Sequence, residues 1–382
     1  MRLTPCILER RNKMTIKFNG LEFNDIEFKE INSKNIFRIY DNERKSSLDF
    51  EYKPTVYTEY DKNDYQLILL ENKYLKAEND VFQVFGEKIV NGKLVKNRLG
   101  WIFTISNLDS LEHDYVDNVH LNKYKFVAFL LILLNCNKEL IDYKEKYSLS
   151  DIYEDNVIVF IVCKKNLNSI TESDIYDYFP SLIKYGYYEY NHVENNRNIS
   201  HKKYFLDETR NKDKIVLKET DINIRENEFL YNLFTKYLKN LEHSLLRFHL
   251  LYQVVEYCID IIFDNKSDKI IKKFSDNEMS KNEFIERINL SRKERTRVNI
   301  LTENIVKKSE YSNLKDNCVE LLNSCKREPK NTIGDLIYDV RNLVVHDFKI
   351  IKDTEYEKLT DIVNDFEMLV VSIVEDFLTT LE

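Results

Sequence analysis

Glycine and proline are scarce in this chain, which has 6 Gly and 4 Pro in 382 residues. The glycines are spread so thinly that they form neither a GxGxxG cradle nor a Walker loop, both of which need closely spaced glycines. Five of the glycines and three of the prolines lie before residue 190. Since these two residue types mark turns, the first part of the chain is predicted to be turn-rich and the second to consist of long helices.

The chain also lacks a long hydrophobic run and an excess of positive charge. Its longest apolar stretch, 126–134, is too short to span a bilayer, and the N-terminal residues show no apolar segment typical of a secretory signal. We therefore expect a cytoplasmic protein with no membrane partner. The net charge of −8 gives no overall electrostatic reason for nucleic-acid binding, so any such surface must be local.

Paired metal-binding residues are missing from the sequence as well. The 6 cysteines include no CxxC pair, and most lie in apolar surroundings typical of reduced thiols. The 7 histidines show no HExxH motif and no other metal-ligand spacing. No GxSxG motif or cysteine-nucleophile context occurs either. The sequence therefore predicts neither a metal site nor a cofactor.

The domain organisation follows from length and from the change in pattern along the chain. A chain of 382 residues is long for one core, so two domains are expected. The predicted fold class is α+β, with a β-rich mixed domain over 15–220 followed by an all-α helical bundle over 226–382. Residues 1–14 are interpreted as a possible leader, with Met14 as a candidate start. The polar stretch 193–225 is predicted to be a connecting hairpin or linker.

Short segments of alternating hydrophobicity, rich in Tyr, Phe, Ile and Val, indicate strands in the first domain. The predicted strands are Thr15–Phe18, Asn35–Tyr40, Gln66–Leu70, Val81–Val84, Leu99–Ser106 and Val157–Cys163. Asn91-Gly92 is a hairpin signal between two of these segments. Helices are predicted at about 121–135 and about 172–185.

A period of 3.6 residues replaces this alternation in the second domain. Apolar stripes run through 244–264 and through a last helix at about 354–380. The first stripe is formed by Leu245, Phe248, Tyr252, Val255, Ile259 and Ile262. Asn331-Thr332, which follows Pro329, offers an N-cap for one further helix.

The most informative segment of that further helix is RNLVVH, at 341–346. Helix positions i and i+4 share a face, so Asn342 and His346 should point the same way, with Arg341 on the flank. Burying an arginine and a histidine without a use is costly. The segment is therefore predicted to be a small polar site within a helical core. The structural alternative, a capped core helix with a solvent-reaching arginine and a satisfied histidine, stays open.

RNLVVH, preceded by IGDLIYDV, resembles the RNxxxH signature of HEPN domains. These domains are small helical bundles that often act as ribonucleases. The sequence is most similar to the Apea-like HEPN group of bacterial defence proteins. The resemblance covers residues 226–382 and says nothing direct about the preceding domain.

This resemblance implies a metal-independent endoribonuclease that acts on RNA. His346 would serve as general base or acid, and Arg341 would hold the scissile phosphate and the charge that grows on it. Asn342 would orient His346 or the phosphate by hydrogen bonds. Attack by the ribose 2′-oxygen would leave a 2′,3′-cyclic phosphate. A single motif is sparse for catalysis, so the resemblance implies a composite site at a homodimer interface.

Glu256 is a candidate supporting residue for such a site. It lies beside the apolar stripe of 244–264, where a carboxylate is poorly accommodated. In HEPN domains an acidic residue on an earlier helix often faces the motif, and Glu256 is predicted to approach Arg341 or His346. The alternative is a carboxylate at the edge of the stripe that reaches water.

A basic stretch follows this helix in the sequence. Residues 266–330 contain 16 Lys and Arg and 11 Asp and Glu, although the whole chain is acidic. Phosphate contacts from such a stretch position RNA without reading its sequence. The candidate RNA-binding residues are Arg292, Lys293, Arg295 and Arg297. A solvated helix start is the alternative explanation for this short charge run.

Phe348 marks a departure from one group of relatives. HEPN toxins that are controlled by nucleotidyltransferase antitoxins often carry a tyrosine two residues after the histidine, where it is modified. Phe348 occupies that position here. Control by such a modification is therefore not expected, and control by the chain's own N-terminal domain is expected instead, with a possible phage-derived trigger.

Three hypotheses for the function remain after these considerations. The first is a bacterial anti-phage ribonuclease of the abortive-infection or toxin type, with a sensor or regulatory N-terminal domain. The second is a non-catalytic HEPN module that binds RNA, nucleotide or protein partners. The third is a structural helical bundle in which the RNxxxH pattern is a coincidence.

Overall fold

The computed structural model describes most of the chain between residues 14 and 377. The residues outside the description are 1–13, 32–33, 57–60, 73–80, 91–92, 110–114, 116, 155–156, 168–174, 191–213, 223, 225, 242, 304, 306–310 and 378–382. The possible leader, the Asn91-Gly92 turn and most of the predicted linker therefore lie outside the described residues.

The chain divides into two compact units. Unit 1 contains Met1–Tyr178 and Tyr185–Lys218, and unit 2 contains Phe179–Lys184 and Glu219–Glu382. The sequence boundary near 220 is close to the second of these breaks, but it does not anticipate that 179–184 belongs to the helical unit. This short segment is helical and almost wholly buried, so it is part of the core of unit 2.

Unit 1 is built from two sheets. Its strands are β1 (Thr15–Phe18), β2 (Leu21–Ile31), β3 (Lys34–Asp41), β4 (Ser47–Tyr52), β5 (Tyr65–Asn72), β6 (Val81–Val90), β7 (Lys93–Thr104), β8 (Asn137–Leu140), β9 (Ile158–Cys163), β10 (Tyr187–Glu189) and β11 (Lys214–Lys218). Among the described residues, one sheet has the order β4-β3-β2-β1-β8 and the other β10-β5-β9-β7-β6-β11. Neighbouring strands are antiparallel except for the β1–β8 and β6–β11 pairs.

One hydrophobic core joins the two sheets of unit 1. The helices of this unit are α1 (Ser106–Asp109), α2 (Val119–Leu134) and α3 (Lys164–Leu167). Helix α2 is apolar on most of its surface and buries residues such as Phe126 and Phe129 between strands of both sheets. Trp101 on β7 is fully buried in the same core. A helix that is hydrophobic all round is stable only when it is enclosed in this way.

The predicted strands of unit 1 are all found, β1 with the predicted bounds and the others with different bounds. The β6–β7 hairpin is also confirmed, because Val90 pairs with Lys93 across the turn. The predicted helix at 172–185 is shorter than expected, with a 3₁₀ turn at Ile175–Tyr178 followed by helix Phe179–Ile183. The linker prediction is wrong at 214–218, because this segment is strand β11. Its alternating Ile and Leu side chains are buried, which gives the short segment a reason to pair.

Unit 2 is helical. Its helices are α4 (Phe179–Ile183), α5 (Glu228–Asn232), α6 (Leu238–Asn240), α7 (Ser244–Ser275), α8 (Lys281–Ser291), α9 (Glu294–Glu303), α10 (Ser312–Ser324), α11 (Ile333–His346) and α12 (Tyr356–Glu375). A π-helical turn, Leu233–Tyr237, joins α5 to α6. The predicted stripes fall on α7 and α12, and α7 continues about three turns beyond the predicted end at 264.

A buried ion pair ties α7 to α12 in the interior of unit 2. Arg247 donates from Nε to Glu367 Oε2 at 2.7 Å and also donates to the carbonyl oxygens of Leu238 and Leu241. Arg247 is 8% exposed and Glu367 is 2% exposed. A carboxylate buried this deeply is tolerated because the guanidinium group neutralises it and fills its hydrogen-bonding capacity.

The observed fold class is α+β, with the strands in unit 1 and long helices in unit 2. None of the helices in the described residues has the length and hydrophobicity needed to span a bilayer.

Candidate functional site

Helix α11 places the RNLVVH segment at its C-terminal end. The helix begins after Thr332, whose side chain accepts a hydrogen bond from the backbone N–H of Asp335, so the predicted N-cap is confirmed at this residue. Gly334, the second residue of the helix, allows the backbone to lie close to α9. A Cβ atom at Gly334 would lie 2.4 Å from Asn299 Oδ1 and 2.7 Å from Thr302 Oγ1.

A hydrogen-bonded network around Asp335 fixes the position of α11 against α9. Asn299 donates to Asp335 at 3.1 Å, and Thr332 donates to it at 2.7 Å. Arg295 of α9 lies between Asp335 and Asp339 and forms ion pairs with both. Although burial opposes the shift, these hydrogen bonds and the charge of Arg295 lower the pKa of Asp335.

Arg341 is the centre of the site. Its Nη1 donates to Asn342 Oδ1 at 3.1 Å and lies 3.4 Å from His346 Nε2. Its Nη2 donates to Glu256 Oε1 of α7 at 3.3 Å. The structure therefore brings together the four site residues that were predicted from the sequence, and the expected approach of Glu256 to Arg341 is confirmed.

The Arg341–His346 contact constrains the protonation of the histidine. A guanidinium group only donates hydrogen bonds, so His346 Nε2 must accept when this bond forms. The proton of the neutral ring is then on Nδ1. A histidine in this form can take up a proton at Nε2 but has none to give there.

Asn342 contacts Arg341 and not His346 in this arrangement. The expectation that Asn342 orients the histidine directly is replaced by an indirect connection, in which Arg341 bridges the two side chains. Asn342 and His346 do share a helix face. The longer side chain of Arg341 extends across that face and contacts both of them.

The ring of Tyr252, on α7, lies against the guanidinium group of Arg341. Arg341 Cζ lies 5.5 Å from the centre of the Tyr252 ring, within the range of cation–π attraction. The Tyr252 hydroxyl donates to Glu294 Oε1 at 2.9 Å. Burial, followed by the charge of Glu294, raises the pKa of Tyr252 above its ordinary value. The hydroxyl is therefore a permanent donor that holds the ring in place.

The site lies at the surface of unit 2 and not within a helical core. His346 is exposed, and the neighbouring apolar side chains Val345, Phe348 and Ile350 are exposed by 43%, 44% and 43%. The prediction of a buried polar site is wrong because α11 ends at His346, two residues after its last buried residue, Val344. The side chains of Val345 and His346 are exposed.

Two of the four candidate RNA-binding residues, which follow α8, form ion pairs within unit 2. Arg295 is paired with Asp335 and Asp339, and Arg297 of α9 donates to Asp260 and to the Ile259 carbonyl of α7. Both guanidinium groups therefore serve in part to join helices.

Arg292 and Lys293, by contrast, are exposed. They directly precede Glu294, which accepts the Tyr252 hydroxyl, so they lie at the edge of the Arg341 site. The four predicted RNA-binding residues thus do not form one exposed patch.

Two residues of the site were not assigned a role from the sequence. The sequence places Tyr252 in the apolar stripe of α7. Glu294 is the single acidic residue within the basic run 292–297, and nothing in the run itself gives it a role. A signal for Tyr252 did exist, because it lies four residues before Glu256 and so shares its helix face. No signal in the sequence connects Glu294 to α11, since their proximity depends on how α7, α9 and α11 pack.

The described part of the chain contains no group of three or more His, Cys, Asp or Glu side chains that could hold a metal ion. The cysteines within it are free thiols. Burial raises the pKa values of Cys136, Cys258 and Cys318, so these three are poor nucleophiles.

Comparisons with protein-family models, with curated proteins and with solved structures give no match to this chain.

Proposed function

We propose that this protein is a metal-independent endoribonuclease of bacterial anti-phage defence. In this proposal unit 2 is a HEPN-like bundle, the protein is cytoplasmic, and RNA is cleaved at a composite site in a homodimer. The observation that carries the proposal is the surface contact between Arg341 and His346, with Glu256 and Tyr252 fixing the guanidinium group from α7. It supplies a phosphate ligand and a proton acceptor side by side.

The proposed reaction uses the two side chains in turn. Arg341 would bind the scissile phosphate and stabilise the negative charge that develops on it. His346 Nε2 would take the proton of the ribose 2′-hydroxyl. The 2′-oxygen then forms a bond to phosphorus while the bond from phosphorus to the 5′-oxygen breaks. The products are a 2′,3′-cyclic phosphate and a 5′-hydroxyl end, whose proton must come from a second group.

The need for that second group supports a homodimer. A His346 that has just accepted a proton can donate one, so a second copy of the motif across a two-fold axis would provide acid and base together. The exposed apolar side chains Val345, Phe348 and Ile350 surround the end of α11. Apolar residues clustered beside a polar site are typical of an interface between subunits.

The test of this proposal compares wild-type protein with His346→Ala on total RNA in the presence of EDTA. Wild type should release fragments with 2′,3′-cyclic phosphate ends, and His346→Ala should not. His249→Ala is the matched control, because His249 is an exposed histidine on the adjacent helix α7. Equal cleavage by all three proteins would remove His346 from the mechanism, and a monomer in light scattering would contradict the composite site.

A non-catalytic HEPN module that binds RNA, nucleotide or protein partners is the second candidate. It is favoured by Glu256, whose carboxylate lies 3.3 Å from Arg341 and competes with a phosphate for the guanidinium group. Under this candidate, wild type and His346→Ala bind RNA and neither cleaves it. If His346→Ala instead lowers the melting temperature by several degrees, the motif has a structural role.

Control of the activity is assigned to unit 1 in this proposal. Phe348 cannot accept the modification that a tyrosine would accept at this position, so an external antitoxin of that type has no target there. A phage-derived trigger that binds unit 1 would instead release the site. Cells that express wild type should stop growing only on infection, whereas cells that express His346→Ala should not; toxicity without infection would contradict control by a trigger.

A further inference from the structure

The second half of α7 and the whole of α8 form a helical hairpin outside the core of unit 2. The last buried side chain of α7 is Ile262, and α8 buries none of its side chains. The two helices contact each other through Phe274 and Phe284, whose ring centroids are 4.6 Å apart. Residues 264–291 are called the arm below. Since the arm contributes so little to the core, its sequence is best explained by what its surface contacts.

One stripe of α7 changes from apolar to basic where the helix enters the arm. Within the core the stripe is formed by Phe248, Tyr252, Val255, Ile259 and Ile262. The same alternation of three- and four-residue steps continues as Lys266, Lys269 and Lys273. Residues at this spacing share one face of a helix. The lysines therefore lie on the side of α7 that carries Tyr252, the residue beneath Arg341.

Two of the three lysines in this stripe, Lys266 and Lys273, form no ion pair within the described residues, whereas Arg287 on α8 is paired with Glu283. Burial, followed by the positive charge of nearby Lys269, lowers the pKa of Lys266. Exposed Arg292 and Lys293 continue the positive surface at the foot of the arm. A row of such cations favours a polyanion over a compact anion.

We propose that the arm is the docking surface for single-stranded RNA, and that its lysine stripe holds phosphates several nucleotides away from the bond at Arg341 and His346. The helical rise places Lys266 and Lys273 about 21 and 32 Å along α7 from Tyr252. The identification of the polyanion as a substrate rests on the proposed ribonuclease function, whereas the binding itself does not.

RNA fits the arm better than a lipid surface does. The lysine stripe runs along the α7 part of the arm, and Arg292 and Lys293 lie between the arm and the Arg341 site. This arrangement suits a linear polymer that must reach Arg341. Phe274, 38% exposed and in tilted contact with Phe284, offers ring surface on which a base can stack next to Lys273. Rings that alternate with lysines along a groove are the usual means of binding single strands without sequence preference.

The test is the binding of a labelled oligouridylate, measured by fluorescence anisotropy as a function of salt. His346→Ala protein is used so that the probe stays intact, and it is compared with the same protein carrying Lys266→Gln and Lys273→Gln. The slope of log Kd against log salt should fall by about 1.4 when these two phosphate contacts are lost. The matched control carries Lys315→Gln and Lys330→Gln, an equal loss of charge away from the arm, and should keep the wild-type slope.

The cleavage assay separates this inference from the proposed function. In protein with His346 intact, the two substitutions in the arm should raise KM and leave kcat unchanged. Loss of RNA binding in the arm variant without any wild-type cleavage supports the docking surface and refutes the ribonuclease. Cleavage with an unchanged KM and an unchanged salt slope overturns the docking surface and leaves the ribonuclease. Arm-dependent pelleting with phosphatidylcholine–phosphatidylglycerol vesicles, with RNA binding unchanged, also overturns it in favour of a membrane.

Discussion

The way in which Tyr252 holds Arg341 can be tested by separating its ring from its hydroxyl group. The ring lies under the guanidinium group at 5.5 Å, and the hydroxyl donates to Glu294 at 2.9 Å. Tyr252→Phe removes the hydroxyl and keeps the ring, whereas Tyr252→Leu removes both. The two substitutions therefore assign any change at Arg341 to one contact or the other.

The hydroxyl contributes mainly to stability. A hydrogen bond to a charged group contributes about 1.5 to 3 kcal/mol. Glu294 is only half-buried and regains water when the hydroxyl is lost, so the lower limit of about 1.5 kcal/mol is expected for Tyr252→Phe. The ring contributes to Arg341 directly. A cation–π contact contributes about 0.5 to 2 kcal/mol, depending on how far the cation is desolvated.

The measurement is a double-mutant cycle with Arg341→Ala, using urea unfolding followed by the helical circular dichroism signal. Tyr252→Leu should couple to Arg341→Ala by about 0.5 to 2 kcal/mol. Tyr252→Phe should show coupling close to zero, because the ring remains. Tyr257→Leu is the matched control, since Tyr257 is an aromatic residue on the same helix, about 140° around the helix axis from Tyr252.

Two results would refute this reasoning. Equal coupling for Tyr252→Phe and Tyr252→Leu would mean that the hydroxyl, acting through Glu294, holds the guanidinium group. No coupling for either would mean that Arg341 does not rest on the ring in solution. In the proposed ribonuclease, Tyr252→Leu should also lower kcat more than Tyr252→Phe does, because only the leucine variant frees the phosphate ligand to move.

Three further predictions concern the packing of unit 2. Glu367→Gln should lower the free energy of unfolding by about 3 to 5 kcal/mol, because it leaves buried Arg247 without its counter-charge, and the loss should be visible in urea unfolding. Gly334→Ala should destabilise by about 1 to 3 kcal/mol in the same assay despite the better helix propensity of alanine, because its Cβ would lie 2.4 Å from Asn299 Oδ1; an increase in stability would show that α9 can move away. The folded state lowers the pKa of Asp335, so its contribution to stability is present above the ordinary value of 3.8 and is lost as the pH falls through the lower, folded-state value. The melting temperature of Asp335→Asn should accordingly lie below that of wild type at neutral pH and approach it in acid, and a constant difference would contradict this assignment.

Local sequence signals predicted a large part of the secondary structure. The alternating segments in unit 1 and the apolar stripes of α7 and α12 are found where they were expected, because period and side-chain type decide which face of a segment can be buried. Strands β2, β4, β8, β10 and β11 were not among the predicted segments. The last three are short strands at the edges of their sheets, and their pairing depends on a neighbour that lies far away in the sequence.

The sequence by itself identified four residues of the candidate site, but not Tyr252 or Glu294. It placed Arg341, Asn342 and His346 within about one and a half turns of a helix, since these spacings depend only on helix geometry. It also indicated Glu256, because a carboxylate beside an apolar stripe needs a partner. These inferences required no knowledge of how the helices pack.

Only the tertiary structure decided how those residues are used. The packing of α7, α9 and α11 puts Tyr252 beneath Arg341, attaches Arg295 and Arg297 to neighbouring helices, and leaves His346 at the surface. The sequence could not provide this information, because a helical period says which face of each helix is buried but not which other helix it meets. The same packing ends the core at Ile262, beyond which the stripe of α7 continues as lysines on the surface of the arm.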